Sequence, residues 1–185
     1  MDYKDYQYSR DAAWRILIDC HITELPVRAL DICKALDIPV RRTTLTGGPE
    51  GRSVALNGRP VILLAAGPTP ERRRFTLAHE LGHIMLGHMG LVGLLNREPS
   101  PEDDPLEQAA NVFASRLLAP ACVLWGCGVQ SAREIAQMCG ISQAAAAFRW
   151  ERMQILYRRN KFLLSPLERQ VYAQFRPYIE AYKRR

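Results

Sequence analysis

The sequence contains no unbroken apolar run of the roughly 18 residues that a membrane-spanning helix needs. Its first residues include Asp2, Lys4, Asp5 and Arg10 with no apolar core behind them, so a secretory leader is not expected. Cysteine offers no framework either. The five residues Cys20, Cys33, Cys122, Cys127 and Cys139 are odd in number, their spacing fits no disulfide scaffold, and Cys122 and Cys127 match no usual metal pair. Reduced thiols in the cytoplasm, serving as small buried hydrophobes, are the expectation. No internal repeat is present, and histidine is scarce, at 4 in 185 residues.

The remaining composition is that of an ordinary globular protein, with 48% hydrophobic and 24% charged residues. A chain of this length buries roughly 70% of its unfolded surface and needs no staples. It suits one domain, or one domain with a helical appendage. Formal net charge is +6, concentrated in Arg72-Arg73-Arg74, residues 149–161 and Lys183-Arg184-Arg185. Such a surface can meet nucleic acid or an acidic protein, or can simply be solvated.

Local patterns predict a first helix over residues 9–21, capped by Ser9, with residues 1–5 set aside because they resemble the start of an epitope tag. A short helix over 28–36 follows. The period then changes. Residues 40–45 read as a strand, 46–49 as a turn, and Asn57-Gly58 between two apolar runs is a hairpin signal, because both turn positions favour positive φ. A three-stranded antiparallel sheet is expected, with Pro60 marking an exposed edge. Thr69-Pro70-Glu71 opens a central helix, with Thr69 as N-cap and Pro70 in the first position. Residues 87–104 form a long irregular stretch, either a substrate-facing loop or a plain one. Helices over 105–118, 131–139 and 143–159 come next. Ser165-Pro166-Leu167-Glu168 then starts a terminal helix.

The chemistry lies in the central helix. His79-Glu80-Leu81-Gly82-His83 puts two imidazoles four residues apart, on one helical face, where both can reach one zinc ion. Glu80 is offset toward a water and suits a general base. Phe75, Leu77, Ala78, Leu81, Ile84, Met85 and Leu86 surround the motif, so the helix is expected to be buried. Buried imidazoles need partners, and a metal satisfies both at once. Gly82, a poor helix former, suggests that another backbone approaches closely.

Catalytic zinc usually takes a third protein ligand. The metzincin spacing fails, because Leu86 and Met89 stand where Gly and His would be required. Glu107 on the next helix is the candidate, with Asn111 one turn later able to accept a hydrogen bond from a ligand histidine. Asp104-x-x-Glu107 is also a capping box, so Glu107 has a competing structural role. His21, His88, Arg116 and several tyrosines are possible donors to an oxyanion, and none is favoured.

Arg74 to His83, followed by Glu107-x-x-Ala110-Asn111-x-Phe113-Ala114 and Leu117-Leu118-Ala119-Pro120, resembles the ImmA/IrrE family of bacterial zinc metallopeptidases. The resemblance covers roughly residues 10–155, and Ala119-Pro120 replaces the usual Met-Pro. It implies an α+β, zincin-like domain over 1–120 with a small antiparallel sheet on the motif helix, and a helical region over 121–185. It also implies Zn2+ as cofactor, with His79, His83 and Glu107 as ligands and Glu80 as catalytic base. The partner it implies is a helix-turn-helix repressor of a mobile-element or stress-response operon, cleaved to derepress it. No membrane partner is expected. Two alternatives stand beside this reading. One is a DNA-binding regulator, since residues 135–152 resemble a helix-turn-helix, although Ala144 to Ala147 suit close packing better than base reading. The other is a zinc-binding sensor that captures a repressor without cutting it, which would have no need of Glu80.

Overall fold

The computed structural model describes residues 2–43, 50–89 and 104–184. The expected turn over 46–49 and most of the irregular stretch over 87–104 lie outside these residues. Contacts divide the chain into two compact units, Met1–Ala12 with Arg28–Ala114 and Ala13–Val27 with Ser115–Arg185. The architecture is α+β and mostly helical.

Helix α1, Tyr3–Asp19, starts earlier than its sequence pattern predicts. Asp2 caps it, accepting from the Asp5 amide at 2.8 Å, while Ser9 lies buried inside the helix and donates to the Asp5 carbonyl at 2.9 Å. Asp caps as well as Ser does, and an earlier cap lets an already nucleated helix lengthen.

The first unit continues with α2 (Ala29–Ala35), β1 (Val40–Thr43), β2 (Gly51–Leu56) and β3 (Arg59–Ala65). The hairpin forms as expected, with Asn57 at φ 52 and Gly58 at φ 75, the pair of positive angles that such a turn needs. The sheet is mixed, however, in the order β1-β3-β2. β2 runs antiparallel to β3, and β1 runs parallel to it. The hairpin fills one side of β3, so β1 must take the other. Thr43 pairs with Ala65 and Gly51 with Leu64, so β1 ends and β2 begins at the same end of β3. The chain reverses direction between β1 and β2, which leaves β1 parallel to β3. Pro60 is therefore in the central strand and does not mark an edge. The β1 register begins only at Ile62, so its missing N–H breaks no bond of that ladder.

Helix α3, Pro70–Met85, packs on β2, β3 and α2. Thr69 caps it, accepting from the Arg72 amide, with Pro70 in the first turn. Leu77, Ala78, Glu80, Leu81, Gly82 and His83 are buried, whereas Phe75, Ile84, Met85 and Leu86 are half-buried. Helix α4, Pro105–Leu118, crosses at Gly82. A Cβ there would lie 3.0 Å from Phe113 Cδ1 and 3.3 Å from the Ala110 Cα and carbonyl oxygen. That is the close approach that the glycine suggested.

The second unit holds α5 (Ala121–Gly126), α6 (Ala132–Cys139), α7 (Gln143–Arg159), α8 (Pro166–Gln174) and α9 (Arg176–Lys183). Ser131, Ser142 and Ser165 cap α6, α7 and α8 through their hydroxyls. Leu124, Ile135, Met153, Phe175 and Ile179 are among its fully buried side chains. Buried Arg149 donates to the Ala119 carbonyl at 2.8 Å, taking up an acceptor that the end of α4 leaves over. The single terminal helix expected after Ser165 is two helices that meet at Phe175, because Pro177 has no N–H to carry the ladder across. Of the alanines that open α7, only Ala146 is fully buried, while Ala144 and Ala147 are exposed. One helical face can bury only some of four consecutive positions.

By length and composition the segment Pro105–Gly126 could cross a membrane, although it is no unbroken apolar run. Its most apolar stretch is 72% buried inside the protein, which is how a core helix behaves. All five cysteines are free thiols, four of them buried.

Candidate metal centre

His79, Glu80 and His83 come from the second half of α3, and Glu107 and Asn111 come from the first half of α4. The contact at Gly82 holds the two helices close enough for their side chains to converge. His79 Nε2 and His83 Nε2 are 3.0 Å apart. Glu107 Oε2 lies 3.1 Å from the first and Oε1 lies 3.3 Å from the second. All the candidate ligand atoms lie within 4.8 Å of one another. Ligand atoms around a tetrahedral zinc are about 3.3 Å apart, so the spacing and the N, N, O donor set both fit such an ion.

The two roles open to Glu107 are now separated. Asp104 caps α4, with its Oδ1 accepting from the Leu106 amide at 2.8 Å. The Glu107 carboxylate does not close back on Asp104, since both its oxygens face imidazoles.

The outer nitrogens are also held. His79 Nδ1 is 3.0 Å from Asn111 Oδ1. An amide oxygen can only accept, so Nδ1 carries the proton; Nε2, the nitrogen that faces Glu107 and His83, donates to the carboxylate when protonated and is the lone pair a metal would take when it is not. His83 Nδ1 is 3.1 Å from Nδ1 of buried His88. His88 reaches this position because the chain turns back at Gly87, φ 74, where the His88 amide donates to the His83 carbonyl at 2.9 Å.

Electrostatics follow the same geometry. Burial on its own lowers the His79 pKa, but hydrogen bonding to Glu107, its charge and that of Glu80, and the Asn111 contact raise it overall. Hydrogen bonds from His79 and His83 hold the Glu107 carboxyl well below the usual carboxylate range. Burial, and then the neighbouring His83, lower the His88 pKa.

Glu80 is buried beside this cluster without being part of it. It lies against the first residue of β2, where a Cβ on Gly51 would strike Thr76 Cγ2 and come within 3.0 Å of Glu80 Cγ. Only a glycine lets the sheet edge come this close to the motif helix.

The structure thus brings His79, Glu80, His83, Glu107 and Asn111 together. Of the oxyanion-donor candidates, His88 stands behind His83, and His21 and Arg116 belong to the second unit. The partnership of His88 with His83 and the Gly51 contact were not foreseen. Gly87-His88 directly after the helix was a usable signal for the first, since a glycine at that point often folds the chain back on the last turn. The second had none, because it depends on strand placement.

Residues 33–158 match the family described as the IrrE N-terminal-like domain. The chain is also 33% identical over 97 residues to the radiation response metalloprotease IrrE of Deinococcus radiodurans. It is 36% identical over 99 residues to the protein of the same name from Deinococcus deserti. Each alignment covers 48% of this chain, but only 30% and 34% of the respective relative. The chain therefore spans about a third of the length of the curated relatives it matches. Helices α8 and α9 lie outside the family match.

Proposed function

The chain belongs to the IrrE N-terminal-like family of metallopeptidases, and we propose that it is a zinc-dependent endopeptidase that cleaves a helix-turn-helix transcriptional repressor. One observation carries the catalytic part. Two imidazole nitrogens and a carboxylate face one another at 3.0 to 3.3 Å, with a buried glutamate beside them that is not needed as a ligand.

His79, His83 and Glu107 would hold the zinc, and Asn111 and His88 fix the two rings from behind. Bound zinc supplies positive charge that polarises a peptide carbonyl and eases the deprotonation of water near neutral pH. Glu80 is the general base. It takes a proton from the water whose oxygen bonds to the carbonyl carbon, and it passes that proton to the amide nitrogen as the C–N bond breaks. β2 is an edge strand whose first residue touches Glu80. An extended substrate adding to that edge would present its backbone next to the base.

The repressor as substrate rests on the family resemblance. The names of the two relatives, which place a metalloprotease in a radiation response, favour a stress-response operon over a mobile element. On this reading the enzyme works in the cytoplasm, where its five free thiols stay reduced.

The test is incubation with the repressor encoded beside the gene, with and without a chelator, and with Glu80→Gln in parallel. The expected result is cleavage that the chelator stops and that zinc restores. Glu80→Gln should keep its fold and its zinc but cut nothing. Cleavage that persists in the Gln variant would refute the mechanism, and an intact repressor would refute the substrate.

A further inference from the structure

A second concave site lies in the first unit, apart from the metal centre. It is a pocket of about 490 Å³ between α2, β1 and the first half of α3. Val40, Leu64 and Leu77 supply its apolar lining, with Leu64 and Leu77 buried and Leu30 half open to solvent at 45% exposure. Val40 and Arg42 alternate along β1 and so point to the same side of the sheet. None of His79, Glu80, His83 or Glu107 lines it.

The charges around it are lopsided. Arg28, Arg42, Arg73 and Arg74 line the pocket with one carboxylate, Asp31, while the Glu71 carboxylate interacts with Arg73 and Arg74 from the start of α3. Asp31 does little to balance Arg28 and Arg42 at the pocket mouth. Arg28 is 4.0 Å from the Asp31 carboxylate, with both side chains largely exposed, and the closer partner of that carboxylate, at 3.3 Å, is Lys34. Arg73 is already directed, donating to the Pro68 carbonyl at 2.7 Å. Guanidinium groups gathered at an apolar hollow repel one another, and an anion relieves that repulsion. They also match carboxylate, sulfonate and phosphate oxygens in forked geometry. The volume falls in the usual range for small-molecule sites, about 300–1,000 Å³, and an apolar lining with a few placed polar groups is their usual make-up.

We propose that this pocket binds a small organic anion, with the apolar body on Val40, Leu64 and Leu77 and the acidic head on the arginines. The proposal does not depend on proteolysis, and its test needs neither zinc nor a substrate.

The probe is 8-anilinonaphthalene-1-sulfonate, an aromatic body with one sulfonate. Uncharged N-phenyl-1-naphthylamine serves as the control. The full chain is titrated with each by fluorescence. One saturable sulfonate site is expected, with the neutral control bound at least about tenfold more weakly. Reversing the two exposed arginines, in Arg28→Glu/Arg42→Glu, should weaken sulfonate binding by about tenfold or more and leave the neutral control unchanged. Leu30→Asp, at a partly exposed position, should weaken both. Circular dichroism establishes that each variant is folded, and single Arg42→Gln replaces the double variant if that one is not. Sulfonate binding that is absent, multi-site, matched by the neutral control or unmoved by the arginine substitutions would overturn the proposal.

Discussion

Replacing Gly82 by alanine tests whether the α3–α4 contact builds the metal centre. Two effects oppose each other. Alanine in a helix interior is better than glycine by about 1 kcal/mol. Against that, the new Cβ would lie 3.0 Å from Phe113 Cδ1 and 3.3 Å from the Ala110 Cα and carbonyl oxygen. Phe113 and Ala110 are fully buried, and part of the obstruction is backbone, so the pressure cannot be relieved by a side chain swinging into solvent. Overpacking of this kind costs about 1–3 kcal/mol, which leaves the variant less stable by roughly 0–2 kcal/mol. For a chain of this size, that is a fall in Tm of up to about 8 °C. The larger effect is expected at the metal. Ala110 lies between Glu107 and Asn111 on α4, so moving α4 by a few tenths of an ångström draws the candidate ligand Glu107 and the His79 partner Asn111 away together. Misplaced supporting groups typically cost 10–100-fold in metal affinity, and a loss of that order is expected in a chelator-competition titration with zinc. Thermal melting in chelator isolates the packing cost. Gly67→Ala is the control, since a Cβ there meets nothing within 4 Å, and it should alter neither quantity. A Gly82→Ala protein that gains stability and binds zinc like the parent would refute the argument.

Glu107→Ala should lower zinc affinity by at least the same order while leaving α4 helical by circular dichroism, because Asp104 does the capping; unchanged affinity would mean that Glu107 is not a ligand. Asn111→Leu should weaken zinc binding by about 10–100-fold, since His79 loses the acceptor that fixes its tautomer. Zinc binding should also depend on pH. The His79 pKa is raised above its ordinary value and a protonated imidazole cannot ligate, so affinity should fall as pH drops through that pKa and level off above it. Glu107 is ionised throughout this range and adds nothing to the slope. Calorimetry in buffers of different ionisation enthalpy would measure the released proton. Among the five thiols, Cys20 alone is half-exposed, so a thiol reagent should modify one cysteine in the native protein and five after denaturation. Burial and then Asp19 raise the Cys20 pKa, so its rate should keep climbing beyond the usual thiol range.

Much of this protein is decided by interactions between near neighbours in the chain, and these were legible without coordinates. Thr69 and Pro70 start the motif helix because a hydroxyl can reach an amide three residues on and proline fits the first turn. Asn57-Gly58 closes the hairpin because two adjacent residues tolerate positive φ. The helical repeat alone places His79 and His83 on one side, and Gly82 betrays a neighbour without naming it. Where local rules pointed two ways, only tertiary structure chose. Glu107 could have closed a capping box or faced the histidines, and the crossing of α3 over α4 at Gly82 decided for the histidines. The direction of β1, the contact of Gly51 with Glu80 and the arginines around the α2–β1–α3 pocket depend on which side of β3 each strand occupies. Local patterning specifies elements one at a time, whereas the site is made where separate elements touch, and those contacts are set by how the whole unit buries its apolar faces.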